Sequence, residues 1–129
     1  MAAAESYPDD LKYHREHDWA RVDGDEAVLG VTWFAGDALG ELVHFEPPEA
    51  GATVTKDVPY GEVESVKAVS DVIAPLSGEV VEVNPGLFDS PETVNQDPYG
   101  EGWLVKVRLS DPSETQSLLG SADYQATLS

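Results

Sequence analysis

Gly61-Glu62-Val63-Glu64-Ser65-Val66-Lys67-Ala68-Val69-Ser70-Asp71-Val72-Ile73-Ala74-Pro75-Leu76-Ser77-Gly78-Glu79-Val80-Val81-Glu82-Val83 reads as three short strands separated by two turns. Residues 61–66 are a strand candidate. Residues 69–74 form the second strand, closed by Pro75. Ser77-Gly78 turns the chain into the third strand, over 79–83, which Asn84-Pro85-Gly86 breaks. Lys67 falls between the first two strands, where a hairpin has its tip.

Working towards the N-terminus, Glu41-Leu42-Val43-His44-Phe45-Glu46 alternates and stops at Pro47-Pro48. Trp19–Val22, the turn Asp23-Gly24-Asp25 and Glu26–Val31 make a first hairpin. Thr32 can cap a short helix over Trp33–Leu39, which Gly40 ends. Asp37 opposes the dipole near that end and limits the helix to about two turns. Residues 1–10 are expected to be a loose lead-in. Working towards the C-terminus, 84–102 reads as a long irregular connection and Trp103–Leu109 as a core strand. Asp111-Pro112-Ser113-Glu114 has the pattern of a capping box opening a helix to about Leu119, with a final short helix over Ser121–Leu128. Gly61-Glu62-Val63-Glu64 and Gly78-Glu79-Val80-Val81-Glu82 are weakly alike, as two related halves of a barrel would be, although chance explains the likeness nearly as well. Short strands at turn-marked intervals indicate a small sandwich or closed barrel, in one domain spanning 1–129.

Composition narrows the function. Seven Lys+Arg against 25 Asp+Glu give a formal net charge of −18, which repels nucleic acid and anionic membranes alike. A monomer is expected. There is no cysteine, so disulfides, thiolate nucleophiles and cysteine-rich zinc sites are excluded, and any sulfur chemistry must come from an attached cofactor. No stretch is apolar enough to span a bilayer, and the first residues lack a secretory pattern, so cytoplasmic residence is the default expectation. His14, His17 and His44 lie at no convincing metal-ligand spacing. Ser65 and Ser70 have no evident base nearby, which leaves nucleophilic catalysis without support.

The chain has four lysines, Lys12, Lys56, Lys67 and Lys106. Lys67 stands out by its place at a tip, framed by Glu62, Glu64 and Asp71. On position alone, a solvated turn lysine is the commoner reading. A modifying enzyme needs a rigid, protruding amine, and a hairpin supplies one. An acyl group on that amine removes its charge, and a long tether raises the carried group's concentration at a partner's site.

A resemblance adds to this. Glu64-Ser65-Val66-Lys67-Ala68, with Ser70-Asp71 and Ala74-Pro75-Leu76-Ser77-Gly78-Glu79-Val80 after it, resembles the lipoylation loop of the glycine cleavage H-protein family. Biotin carriers place methionine on both sides of the lysine, and this chain does not. His17-Asp18-Trp19, Gly30-Val31-Thr32, Ala38-Leu39-Gly40-Glu41 and 94–103 resemble further blocks of that family in the same order, from about Leu11 to Tyr124.

The resemblance implies an all-β core, a flattened barrel-sandwich hybrid of lipoyl-domain type, with a short helix after the first hairpin and C-terminal helices. It implies a non-catalytic carrier with lipoic acid on Lys67, its modification loop framed by Glu64, Ser65 and Val66. The implied partners are a pyridoxal-phosphate glycine dehydrogenase (decarboxylating), a tetrahydrofolate-dependent aminomethyltransferase, an FAD/NAD dihydrolipoyl dehydrogenase, and a lipoate ligase or lipoyl transferase. The positions matching the family's arm cleft include Asp18, Val31, Ala68 and Asp71, with Asp18 the expected charge partner of the aminomethyl amine. Asp18 is one methylene shorter than the family's usual glutamate. Trp33-Phe34 and Gly36 also depart from the common pattern, and Trp33-Phe34 is expected to pack the short helix into the core. Asn95, Tyr99 and Trp103 are expected to lock the irregular segment to the body. A lipoyl-relay protein without glycine turnover is the alternative reading, since its loop would look the same.

Overall fold

A computed structural model describes residues 3–128. Its strands are β1 (Lys12–His14), β2 (Asp18–Asp23), β3 (Glu26–Val31), β4 (Leu42–Glu46), β5 (Thr53–Val54), β6 (Pro59–Ser65), β7 (Val69–Ile73), β8 (Gly78–Val83) and β9 (Val105–Leu109). They form two antiparallel sheets, a six-stranded one ordered β1-β2-β3-β9-β8-β5 and a three-stranded one ordered β4-β6-β7. Alternation decides which side chains meet between them. Ala20, Leu29, Val80 and Val107 of the large sheet share one buried cluster with Leu42, Phe45, Val63 and Val72 of the small one. Each fully buried Val, Leu or Phe side chain among these contributes about 1.5–3 kcal/mol. The result is a sandwich of all-β type. The two similar Gly-Glu-Val segments lie in different sheets, on β6 and β8.

The outer face of the large sheet carries a second cluster of Leu11, Tyr13, Trp19 and Tyr124. Trp19 fits there because its β3 partner is Gly30. A Cβ on Gly30 would stand 2.5 Å from the indole. The buried indole N–H donates to the carbonyls of Val31 and Pro98 at 3.0 and 3.1 Å. Tyr124 comes from α4 (Ser121–Ala126) and stacks on Tyr13 with ring centroids 4.8 Å apart. Of the lead-in expected to be loose, 1–2 lie outside the described residues, and 3–10 are tied to the body. The Trp33 indole N–H donates to Ala3 O, Tyr99 Oη to Ser6 O and Tyr13 Oη to Pro8 O.

Helix α1 (Trp33–Leu39) has the predicted bounds. Thr32 Oγ1 accepts from Ala35 N at 3.3 Å, and Gly40, at φ 89°, donates its N–H to Gly36 O. Ala35 and Leu39 are the helix residues that pack on the core, whereas Trp33 and Phe34 are only half-buried, which corrects their expected role. The connection over 84–102 also departs from expectation. It contains two one-turn helices, α2 (Gly86–Asp89) and α3 (Thr93–Gln96), which set Leu87 and Val94 into the core. The capping box is a third correction. Asp111 does cap, accepting from Ser113 N, but Glu114 reaches away to Ser77 N and Oγ at 2.7 and 2.9 Å, and the segment Pro112–Ser117 is a 3₁₀ helix. Asn84 and Asn95 anchor the irregular connection: Asn84 Nδ2 donates to Glu101 O and Trp103 O, each at 2.8 Å.

Candidate functional site

Lys67 stands at the apex of the β6–β7 hairpin, whose register pairs Glu64 with Val69 and Val63 with Ser70. Ser65, 5% exposed, organises the apex. Its N–H donates to Ala68 O at 2.8 Å, and its Oγ accepts from the N–H groups of Lys67 and Ala68 at 3.2 and 3.1 Å. One buried hydroxyl thus satisfies the donors that a tight turn leaves unpaired. Val66 and Lys67 face solvent, Val66 being 74% exposed. Among the described residues the Lys67 ammonium makes no ion pair or hydrogen bond, and Glu64 and Asp71 stand free of it. Its stem instead lies beside Gly40. The Lys67 Cε is 3.3 Å from the place a Cβ would take there.

Beside this apex runs a cleft of about 170 Å³ between α1 and the β6–β7 hairpin. Phe34, Ala35, Ala38 and Leu39 form its helix wall, with Val63, Ser70, Asp71 and Val72 facing them. The β1–β2 turn closes one end with Glu16, His17 and Asp18. Three of the expected cleft residues, Asp18, Val31 and Asp71, therefore share one hollow. Ala68 does not line it and sits exposed at the apex.

Asp18 is not poised as expected. It is 2% exposed, and its carboxylate accepts from Ile73 N at 3.0 and 3.4 Å. Burial pushes its pKa well above the ordinary value, against the opposing pull of the Ile73 hydrogen bond. The Tyr60 hydroxyl, buried without a hydrogen-bond partner among the described residues, is pushed up too, by its burial and by the charge of Asp18. The exposed carboxylates of the cleft are Glu16 and Asp71.

His17 adopts the left-handed φ of 76° that presents its ring to the cleft. The ring packs on Phe34 with centroids 4.6 Å apart and planes tilted by 35°, and its Nδ1 bonds Tyr124 Oη at 2.8 Å, which in turn meets Thr32 Oγ1 at 2.8 Å. Burial lowers its pKa, so the neutral ring is favoured. His14 bonds Asp57 at 2.6 Å and accepts from Glu16 N through Nδ1, while His44 pairs with Glu46 at 3.0 Å. No group of three potential metal ligands exists among the described residues.

A family model described as Glycine cleavage H-protein matches residues 11–129. The chain belongs to the glycine cleavage H-protein family. Relatives named glycine cleavage system H protein include that of Symbiobacterium thermophilum, 54% identical over 92% of this chain and 93% of its own. That of Myxococcus xanthus is 51% identical over 97% of each chain. The crystal structure of a glycine cleavage system H protein from Mycobacterium marinum superposes with a TM-score of 0.86 at 42% identity, covering 94% of this chain and 98% of that one. As a member of that family the chain is a lipoyl carrier of glycine cleavage and not a catalyst, and its two-sheet sandwich is of the lipoyl-domain type. Among its described residues no helix is long and apolar enough to cross a membrane.

Sequence reasoning missed Gly40 under the lysine stem, the bonding of Ser65 and the helix wall of the cleft. Gly40 could have been suspected from its place after a helix, but its approach to Lys67 joins residues 27 positions apart. Asn95, expected to fasten the irregular segment, does so at the site itself: Nδ2 donates to Gly36 O and Gly40 O, and Oδ1 accepts from Leu42 N.

Proposed function

We propose that Lys67 is the residue that carries the lipoyl group and that the chain shuttles the aminomethyl intermediate of glycine decarboxylation. The observation behind this is an unpaired ammonium at the apex of a hairpin whose backbone is fixed by Ser65. A ligase or transferase meets a lysine whose desolvation breaks no ion pair. An amide on Nζ abolishes the charge and leaves a long arm tipped with the sulfurs this cysteine-free chain lacks.

The partners in this reading are the pyridoxal-phosphate glycine dehydrogenase, the folate-dependent aminomethyltransferase and the flavin-dependent dihydrolipoyl dehydrogenase, with a lipoate ligase or lipoyl transferase to install the group. The first loads an aminomethyl group on the oxidised arm, the second removes the one-carbon unit and ammonia, and the third reoxidises the dithiol. The tether keeps the arm at high effective concentration during each docking.

Between visits the loaded arm rests in the cleft. Val31 and the α1 side chains shield the adduct from water, and Ala68 at the apex leaves room for the arm to turn in. Asp71 and Glu16, the exposed carboxylates of the cleft, meet the ammonium at its mouth. Asp18 supplies a polar floor.

Glycine–bicarbonate exchange with a pyridoxal-phosphate partner tests the shuttle directly. Exchange that requires the lipoylated chain is the expected result. Lipoylation without exchange would move the protein to the lipoyl-relay role.

A further inference from the structure

A second hollow, of about 290 Å³, opens where the end of β1, the turn between β5 and β6 and the segment 117–119 meet. It shares no lining residue with the cleft beside Lys67. Its charge runs against that of the chain. Two of the seven Lys+Arg residues, Arg15 and Lys56, line it together with a single acid, Asp57. That acid is already engaged. His14 Nδ1 accepts from Glu16 N at 3.0 Å and so carries no proton, which makes Nε2 the donor to Asp57 Oδ1 at 2.6 Å and leaves the ring uncharged. Asp57 Oδ2 accepts from Lys56 Nζ at 3.1 Å. The bond from His14 first, and that from Lys56 next, hold the Asp57 carboxyl below its ordinary pKa, so it stays ionised. Two cations against one carboxylate leave one positive charge, and Arg15, which makes no ion pair among the described residues, holds it.

We propose that this hollow binds the carboxylate of a small organic acid, held by Arg15 and Lys56, with a short apolar body against Leu118 and Leu119. The other donors of the lining are turned elsewhere. The hydroxyls of Ser117 and Thr127 donate to Glu114 O and Tyr124 O, and the N–H groups of Lys56 and Asp57 donate to Ser77 Oγ and Ala74 O. An anion therefore meets the guanidinium and the ammonium, and the planar fork of the guanidinium matches the two oxygens of a carboxylate. A single surplus charge suits a monoanion better than a dianion such as phosphate. The half-buried Leu118 and Leu119 have their N–H groups bonded to Thr115 O and Tyr13 O, so an apolar body laid on them strands no backbone donor. The acids elsewhere on the chain repel such a ligand at long range, but at about 0.1 M salt their reach falls to about 10 Å, and the charges lining the hollow decide.

The test is a titration of the full chain, ¹⁵N-labelled, near neutral pH in about 0.1 M sodium chloride. Isovalerate is the probe. Amide resonances of His14, Arg15, Lys56, Asp57 and Leu119 should move and saturate. Isovaleramide, the same body without the charge, and inorganic phosphate, a charge without the body, should each bind about tenfold more weakly or less. Arg15→Gln, at an exposed position, should weaken isovalerate about tenfold, whereas Arg108→Gln on β9 should leave it unchanged. Unmoved amides of Val80 and Val107 check that each variant keeps the fold. Shifts that do not saturate, isovaleramide bound as well as isovalerate, or equal affinity in Arg15→Gln would overturn the site. Phosphate bound as tightly as isovalerate would overturn the assignment to a carboxylate on an apolar body.

Discussion

Lys67 and Asp18 sit at opposite extremes of solvation, and their charges behave accordingly. The Lys67 side chain is exposed and makes no ion pair among the described residues, so acylating it breaks none of them. Asp18 is a carboxyl with one backbone donor and no cation among the described residues, enclosed at the floor of a cleft. Its folded pKa is raised by burial above an ordinary 3.8. A raised acid contributes stability that is fully present below its unfolded value and is lost as pH rises through the folded one. Asp18→Asn keeps an acceptor for Ile73 N without the charge. The variant should therefore melt at a higher temperature than the unmodified protein near neutral pH, with the difference closing as the pH is lowered towards 4. Thermal unfolding across that range checks it. A variant less stable at neutral pH would mean that the ionised carboxylate is stabilising where it stands.

Elements were legible in the sequence where their signals are local. The first hairpin, the helix between Thr32 and Gly40, and the strands around Lys67 each follow from alternation, a cap or a turn residue within a few positions. β1 and β5 escaped notice because three and two residues are too short for a period to show. α2 and α3 are single turns held by distant carbonyls and core contacts, and Glu114 left its capping box because Ser77, 37 positions away, offered two donors. The site divides in the same manner. Lys67 at a tip was readable, but the cleft wall from α1 and the inward turn of the Asp18 carboxylate depend on packing between distant segments. Asn95 joins these segments, since one amide holds the end of α1 and the start of β4. Asn95→Ala removes the side-chain partners of Gly40 O and Leu42 N and should cost about 2 kcal/mol. Amide hydrogen exchange should accelerate first in residues 36–42. Uniform acceleration across both sheets would contradict this local role.

At the scale of the whole molecule, 25 acids against seven bases dominate. Among the described residues the lysine and arginine ion pairs use only Lys56, Lys106 and Arg108, so most carboxylates have no cationic partner. Self-repulsion of this kind is screened by salt, whose Debye length falls from about 30 Å at 0.01 M to about 3 Å at 1 M. Melting temperature should rise with sodium chloride over that range, and a flat or falling profile would show that the acids are locally compensated. The same field attracts partner surfaces that are basic, and association with such a surface should slow as salt is added. All of this serves one exposed amine on a rigid sandwich. Intact mass spectrometry after co-expression with a lipoate ligase tests that amine most directly. The unmodified sequence should gain a single lipoyl group and Lys67→Arg none; a chain that stays unmodified, or a variant that still gains the group, would contradict the account.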